Sequence, residues 1–378
     1  MSRIKIIHIL NSVGGVDVSL RLILENIDSK KFESIVIHGT ADTKTPYVDN
    51  LGNPVVDYKV PIQRDISLYN DLSAIKHTLK ILKKEQPLLI HAHSAKGGII
   101  AKIIASIIKV PVLHTPQAYS YLSAQSNLKK KLFLSTERLF VGLNNKILAS
   151  STSEQNRAIN EVGYPKEKVL LFNNSINPID KTEVLSIPKI WPDNYICSVG
   201  RPSFQKNIEL MLDVIFEIKK SINDIHLVLM GVGYHSPNLE EVKRKIKALG
   251  LEKNITLLEW TSREDIFNII KGSKLYLTTA RYEGLPYSII ESLSLGKAIV
   301  ATDADGNRDL VEDGYNGRLI FNENISDLAQ AVVEIINSDK INKTYSSNSL
   351  QLFNDNFDIT KNISKLENIY LNNINQKE

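Results

Sequence analysis

The chain alternates short β-branched runs with longer stretches of helical periodicity, and it does so twice, on either side of a proline-marked break. Ile4–Leu10 reads as a strand, followed by the loop Asn11-Ser12-Val13-Gly14-Gly15 and a helical pattern over Leu20–Asn26. Further strands are expected at Ser34–His38, Leu88–His91, Val110–His114, Lys146–Ala149 and Val169–Phe172, with helices over Leu72–Lys84, Gly97–Ile108 and Leu128–Phe140. Asp180–Asp193 breaks the rhythm, with Pro178, Pro188 and Pro192 in or beside it. The alternation restarts with strands at Tyr195–Val199, His226–Met230, Ile255–Leu258, Leu275–Thr279 and Ala298–Thr302. Helices are expected between them at Ile208–Ile222, Leu239–Leu249, Arg263–Ile270 and after Pro286, and in the tail over Ile325–Asn337 and Ile359–Tyr370. Strands alternating with helices demand parallel sheets covered on both faces. The expected fold class is α/β, two Rossmann-like doubly wound domains facing a central cleft. The expected boundaries are residues 1–180, a linker at 181–193, 194–357 and a final helix at 358–378. Ligands of such sheets bind at the C-terminal ends of the strands.

Length and composition agree. A chain of 378 residues has room for two domains, and 43% hydrophobic with 23% charged residues is ordinary for a globular protein. The single cysteine, Cys197, excludes a disulfide framework and a cysteine metal cluster. Residues 1–180 carry a formal charge of +8 and the remainder −4. The basic half either meets an anionic partner, a phosphorylated acceptor or a membrane surface, or carries a chance imbalance on a solvated face. Leu128-Lys129-Lys130-Lys131-Leu132-Phe133 sharpens that choice: it fits a helix lying on an anionic bilayer, and equally the lysine-rich outer face of a core helix. Ile4–Leu10 is too short and charged for a secretory signal. Ile99–Ile108, the longest apolar candidate, is broken by Lys102 and reads as a buried helix rather than a membrane span.

The most informative stretch runs from Arg281 to Gly296. Glu283 and Glu291 are separated by seven residues, with Gly284-Leu285-Pro286 between them. The stretch reads as a strand end, a loop and a helix. Pro286 fits the first helical turn and Gly296 the position just past the end. Ile289, Ile290 and Leu293 define one helix face and Glu291 the far side. A helix N-terminus there favours a phosphate, and the two acids could accept hydroxyls on either side of a bound diphosphate. The alternative is that Glu283 caps a helix and Glu291 is a solvated residue. Gly200-Arg201-Pro202-Ser203-Phe204-Gln205-Lys206-Asn207 follows the first strand of the second half. Arg201 can bind two phosphate oxygens at once, and Lys206 supplies a point charge.

Together these segments resemble a known family. Glu283 to Glu291 looks like the E-x7-E motif of the family-4 retaining glycosyltransferases of the GT-B fold, the glycosyl transferases group 1. Gly200-Arg201…Lys206-Asn207 resembles their G-R-x4-K diphosphate motif, and Gly231-Val232-Gly233 their G-x-G. Asp305-Gly306-Asn307-Arg308-Asp309-Leu310-Val311 with Gly314-Tyr315-Asn316-Gly317 is similar to the segment downstream. The resemblance covers nearly the whole chain and is densest from Ser198 to Leu319. It implies that the second domain binds a nucleotide-diphosphate sugar. Arg201 and Lys206 would neutralise the diphosphate. Glu283, with Gly284, Leu285 and Pro286, would hold the donor sugar, and Glu291 the ribose. Gly14 and Gly15 would let the first loop approach the substrates, and the final helix would cross back onto the first domain.

The first half carries chemistry that is harder to read. The two histidines of His91-Ala92-His93 are expected on opposite faces of a strand, one of them towards the cleft, which argues against a shared metal site. Many relatives hold a histidine near the reacting carbon at the place of Gln117, and glutamine cannot act as a base at neutral pH. A front-face reaction, in which the departing phosphate takes the acceptor proton, tolerates Gln117; a shifted role for His93 or His114, or a silent protein, are the alternatives. Asp303-Ala304-Asp305 imitates a metal-binding D-x-D but runs into the Gly306 loop, and no metal or other cofactor is expected. Ser236 stands where a dinucleotide fingerprint needs its third glycine, which argues against a dehydrogenase. The expected function is retaining transfer from a nucleotide sugar to a glycan or lipid-linked acceptor in bacterial surface-polysaccharide assembly (O-antigen, capsule or similar). The expected place is the cytoplasm or the inner face of the cell membrane, with no nucleic-acid partner. A sugar-nucleotide epimerase of the same fold and a catalytically silent sugar-nucleotide-binding subunit are the rivals. A phosphorylase would need a far longer chain.

Overall fold

The structure is a computed structural model that describes residues 3–374 apart from 12–13, 41, 44, 64–66, 125, 234–235 and 260, and excluding the side chain of Leu68. Ser12 and Val13 of the first loop, and residues 375–378 of the expected final helix, lie outside the described residues. The chain forms two compact units, Met1–Asn177 with Ile359–Glu378, and Pro178–Asp358.

The first unit is built on strands β1 (Ile4–Ile9), β2 (Phe32–Gly39), β3 (Val56–Val60), β4 (Leu89–His93), β5 (Val112–Thr115), β6 (Asn145–Ala149) and β7 (Val169–Leu171). They form one sheet in the order β3-β2-β1-β4-β5-β6-β7, every described pair parallel. β2 and β3 are joined without a helix among the described residues, and the other crossovers carry covering helices. These are α1 (Gly15–Leu24), α2 (Leu68–Glu85), α3 (Ser94–Ile108), α4 (Asn127–Leu139) and α5 (Thr152–Arg157). Ile7, Ile9, Ile37, Ile90 and Val112 bury one face of the sheet with α2 and α3. Ile6, Phe32, Leu89 and Leu113 bury the other.

Lys102 lies inside α3, buried, with its Nζ 3.6 Å from the Glu137 carboxylate of α4. Burial pulls the lysine down and the glutamate up, and each partly offsets the other. Glu137 is the sole acid of α4, so this contact helps set which side of that helix faces in. Phe133 and Leu134 pack inward. Leu128, Leu132 and Leu139 are left outward with 79%, 60% and 78% exposure, and Lys129, Lys130 and Lys131 are exposed beside them.

The second unit contains β8 (Ile196–Val199), β9 (Leu227–Met230), β10 (Ile255–Leu258), β11 (Tyr276–Thr278), β12 (Ile299–Thr302) and β13 (Gly317–Ile320), in the order β10-β9-β8-β11-β12-β13, again parallel. Its helices are α6 (Ile208–Lys219), α7 (Leu239–Ala248), α8 (Arg263–Gly272), α9 (Tyr287–Ser294), α10 (Ile325–Asn337) and α11 (Asp339–Asn356). Ile196, Leu227, Leu229, Leu277 and Val300 bury one face with α6, α7 and α10. On the other side the Tyr276 hydroxyl lies 2.9 Å from Ser288 of α9. Residues 181–193 form neither helix nor strand and fold onto this unit. The Ser186 N–H donates to Asp265 at 2.7 Å, and Trp191 stacks edge-on against Tyr195.

The last helix, α12 (Ile359–Ile374), belongs to the first unit. Leu366 and Tyr370 pack with Ile6, Leu89 and Leu113, and Glu367 accepts the Asp28 N–H at 3.0 Å. The Tyr370 hydroxyl reaches Nδ1 of His91 on the central strand β4, at 2.7 Å. Leu366→Ala is expected to destabilise the first unit by about 2–5 kcal/mol through the cavity it leaves. Tyr370→Phe is expected to cost about 1–3 kcal/mol by leaving a buried imidazole nitrogen unpaired. Urea unfolding with hydrogen exchange on β1 and β4 measures both, and unchanged protection in either variant would contradict the packing of α12.

Candidate active site

In the second sheet the strand order reverses between β8 and β11, so the loops leaving these neighbours diverge and open a crevice at the C-terminal edge. Gly200–Asn207 leaves β8 and Ala280–Pro286 leaves β11, which brings the two charged segments read from the sequence together. Tyr276 sits beneath them, its hydroxyl accepting the Val199 N–H at 3.2 Å. The loops are stitched by backbone groups: Arg281 N–H donates to the Gln205 carbonyl and the Thr279 hydroxyl to the Asn207 carbonyl, both at 2.9 Å. Side chains complete the seam. Lys206 Nζ lies 2.7 Å from Glu283 Oε1, and the Gln205 side-chain amide donates to Glu283 Oε2 at 3.0 Å. Burial acts to lower Lys206, but Glu283 and Tyr276 more than offset it, and the lysine is held above its ordinary value as a firm cation. Arg201 stands half-buried in the same loop.

Pro286 caps α9 with extended backbone, and Tyr287 is the first helical residue. Leu285 is buried beside the cap, and Gly296 follows the helix with φ +62°. Behind the Glu283 loop lies the segment Asp305-Gly306. The Glu283 N–H donates to the Asp305 carbonyl at 3.1 Å. Gly306 has φ +76°, and a Cβ there would fall 2.8 Å from the Gly284 carbonyl oxygen and 3.0 Å from the Glu283 Cβ. The downstream motif therefore acts as a backing plate for Glu283. Asp303 and Asp305 both accept from the Arg308 guanidinium, at 2.7 and 2.9 Å, so an arginine already occupies the D-x-D pair.

Glu291 departs from the solvated-face alternative. The side of α9 away from Ile290 is covered, and Glu291 is only 7% exposed. Arg263, the first residue of α8, approaches it with Nη2 to Oε1 at 2.8 Å. Desolvation pushes the Glu291 carboxyl up to about 7, with Arg263 partly opposing the shift.

In the first sheet the order reverses between β1 and β4, and the residues expected at the substrate lie at those strand ends. Gly14 precedes α1 with φ +61° and ψ −131°, a glycine-favoured conformation, and Gly15 is the first helical residue. His91 and His93 do not point to opposite faces. Residues two apart in a strand share a side, and their rings lie 4.0 Å apart, with His8 of β1 beside them. Nitrogens of His8, His91 and His93 lie within 4.8 Å of one another, so the expected obstacle to a shared ion is removed. The set nevertheless reads as a neutral hydrogen-bonded network. His91 is spent on Tyr370 and on Thr115, the latter at 2.9 Å, and His8 Nδ1 shares a 3.2 Å hydrogen bond with His93 Nε2. All three are buried, and burial holds each far below the ordinary imidazole value, His8 at about 3. His114 is buried on the other face and donates from Nε2 to the Ser94 carbonyl at 3.0 Å.

Gln117 follows β5 with φ +54°, and Ala118 with φ +76°. Two successive non-glycine residues in the left-handed region are costly. Buried Glu154 holds the turn: its carboxylate accepts the Ala118 N–H at 2.8 Å and the Ser150 N–H at 2.7 Å. Arg263, Gln205 and Glu154 were not singled out from sequence. Only Gln205, lying between Arg201 and Lys206, had a positional signal that could have found it.

Two doubly wound parallel sheets, with acids and cations gathered at the switch point of the second, define the class as GT-B. The model described as "Glycosyl transferase 4-like domain" matches residues 14–175 and that described as "Glycosyl transferases group 1" matches residues 184–351. The UDP-Gal:alpha-D-GlcNAc-diphosphoundecaprenol alpha-1,3-galactosyltransferase of Escherichia coli is 26% identical over 100% of this chain and 99% of its own. The capsular polysaccharide biosynthesis glycosyltransferase CapM of Staphylococcus aureus is 22% identical, covering 83% of this chain and 84% of its own. Among solved structures, Anabaena HepE in complex with UDP and glucose superposes with a TM-score of 0.78 at 18% identity, over 96% of this chain and 98% of that one. The chain belongs to the group 1 glycosyltransferases of the GT-B fold, and it is a glycosyltransferase.

The Glu291 carboxyl carries a pH signature. Its folded value of about 7 lies above its ordinary 4.5, so the folded chain binds the proton more tightly than the unfolded one. The resulting stabilisation is complete below about pH 4 and is lost as pH rises through about 7. Glu291→Gln is expected to flatten this part of the dependence of the melting temperature between pH 5 and 8. An identical profile in wild type and variant would contradict the assignment. Gly306→Ala is expected to cost more than about 1 kcal/mol, because it adds an unfavourable φ to a backbone clash, as read by chemical denaturation.

Proposed function

We propose that the chain transfers a hexosyl or N-acetylhexosaminyl unit from a uridine diphosphate sugar to a glycan or lipid-linked acceptor, with retention of anomeric configuration, in bacterial surface-polysaccharide assembly. The observation that carries the reading is the Lys206–Glu283 contact of 2.7 Å at the sheet switch point, with Glu291 buried one and a half turns along α9. A diphosphate entering there exchanges Lys206 from Glu283 to a phosphate oxygen, and Arg201 joins it. Glu283 is then released to accept hydroxyls of the donor sugar, held on Gly284, Leu285 and Pro286, while Glu291 accepts those of the ribose. The uridine base and the lipid-linked acceptor are supported by the substrates named for the Escherichia coli relative and by the UDP bound to HepE. The surface-polysaccharide setting is supported by that relative and by the capsular one.

In the reaction the bond between the anomeric carbon and the diphosphate oxygen breaks, and the electron pair leaves with the diphosphate. The acceptor oxygen bonds to the same face of the sugar, and its proton passes to the departing phosphate oxygen. This sequence asks no basic group of Gln117, which serves as a hydrogen-bonding residue for the sugar. Gly14 and Gly15 allow the first loop a close approach. His93, buried and neutral, bonds to His8 instead of exchanging a proton. Lys206 and Arg201 supply the positive charge for the leaving group, so the reaction needs no divalent ion or other cofactor.

No helix among the described residues is long and apolar enough to cross a membrane. The α4 surface supports a peripheral contact at the inner face of the cell membrane: Leu128, Leu132 and Leu139 share one exposed side, flanked by lysines that match an anionic leaflet.

Lys206→Ala and Glu283→Ala are each expected to lower kcat by about 10²–10³ with the fold intact, by analogy with loss of one preorganised charge partner. Near-wild-type turnover in either variant would overturn the site. Activity is expected to survive exhaustive chelation with EDTA, and loss that magnesium restores would contradict the metal-free reading. Proton NMR of the product reports retention, and an inverted product would refute it. A product formed without acceptor would favour an epimerase. Co-flotation with anionic vesicles is expected for wild type and not for Lys129/Lys130/Lys131→Glu; equal recovery would remove the membrane contact.

A further inference from the structure

We propose that Arg263, outside both charged motifs, is the positioning residue for Glu291 and so sets how strongly the ribose hydroxyls of the donor are recognised. The proposal rests on the reading of Glu291 as the ribose clamp and adds a residue to it. Three observations carry it. The Arg263 guanidinium meets Glu291 at 2.8 Å, where the carboxylate is almost wholly removed from solvent. The arginine is itself fixed at the base of α8. The preceding Ser262 caps that helix by accepting the Asp265 N–H at 3.1 Å, and Phe267, one turn on, places its ring 5.4 Å from the guanidinium. Arg263 also remains 37% exposed at its side chain, so its fork is open to a ligand on the side away from the protein.

Among the described residues, Arg263 is the charged group set against Glu291 from the packed elements. On α8, Asp265 turns to Ser186 and Ser262, while Glu264 and Lys271 are exposed. On α11, the charged residues Asp339, Lys340, Lys343 and Asp355 are exposed. Beyond α9, Lys297 donates to the Ser273 carbonyl. A carboxylate buried without a countercharge takes up a proton or swings towards water. In either form it loses acceptor strength towards a hydroxyl. The arginine opposes that proton uptake, lowering the pH at which Glu291 ionises, and fixes the oxygen that it does not itself occupy.

The test is calorimetric titration of the full chain with uridine diphosphate and with its 2′,3′-dideoxy analogue, between pH 6 and 8.5, for wild type, Arg263→Gln and Arg263→Lys. Wild type is expected to prefer the hydroxylated ligand. Arg263→Gln is expected to lose roughly tenfold to a hundredfold in affinity for it and to bind both ligands nearly alike. Arg263→Lys should recover part of the difference. The pH below which uridine diphosphate binding weakens is expected to move upward in Arg263→Gln, while kcat at saturating donor and the acceptor KM stay within about threefold of wild type. If wild type discriminates between the ligands and Arg263→Gln discriminates equally, the proposal is overturned while the Glu291 clamp survives. If wild type binds uridine diphosphate but ignores the missing hydroxyls, the clamp reading falls and the proposal with it. Circular dichroism of each variant separates these outcomes from a folding defect. A loss in Arg263→Gln that is equal for both ligands and constant with pH assigns Arg263 a purely structural role and overturns the proposal.

Discussion

A carboxylate buried at the edge of a parallel sheet must be given a cation, and the second unit meets that requirement twice. Glu283 has Lys206 and Glu291 has Arg263, at 2.7 and 2.8 Å. Burial of an unpaired charge would cost several kcal/mol. The pairs therefore constrain the loops that carry them: Gly200–Asn207 must lie against Ala280–Pro286, and α8 against α9. The loop from Asp305 to Gly306 closes behind Glu283 for the same reason, since movement there would free the carboxylate. The first unit also buries an ion pair, Lys102 with Glu137, but at its own switch point it gathers neutral groups instead. Burial keeps its three clustered histidines neutral, with His91 bonded to Tyr370 and Thr115 and His8 bonded to His93.

This contrast bears on the division of labour between the units. The second holds fixed opposite charges that can exchange partners when an anion arrives, and this is the electrostatic form a diphosphate site requires. The first offers strained or glycine-dependent backbone at its strand ends. Gln117 and Ala118 are held in the left-handed region by Glu154, and Gly14 adopts a conformation closed to other residues. Strain of this kind is maintained by the residues around it, here a buried carboxylate accepting two backbone N–H groups.

Much of the fold was legible because hydrophobic periodicity reports burial, and parallel strands buried on both faces write the clearest pattern. β10 and α10 were anticipated at their observed bounds. The elements that sequence did not reveal lack that pattern. β3 is largely exposed and buried only at Val60, β13 is four residues opened by glycine, and α11 is polar along its length and depends on tertiary contacts. At the site, the sequence alone brings Glu283 and Lys206 together, because both follow strands of one sheet. Arg263 could not be placed beside Glu291, since their contact depends on how α8 packs on α9. The error over His91 and His93 was of another kind: a period of two places such residues side by side, and the register of His8 opposite His91 then completes the cluster.

The most direct measurement is a crystal structure of the chain grown with uridine diphosphate. The account predicts the diphosphate at the C-terminal edge of β8 and β11, within hydrogen-bonding distance of Arg201 and Lys206. It also predicts that the Lys206–Glu283 contact has lengthened and that the ribose hydroxyls lie on Glu291. A diphosphate bound elsewhere, or one bound with the Lys206–Glu283 pair intact and Glu291 untouched, would contradict it.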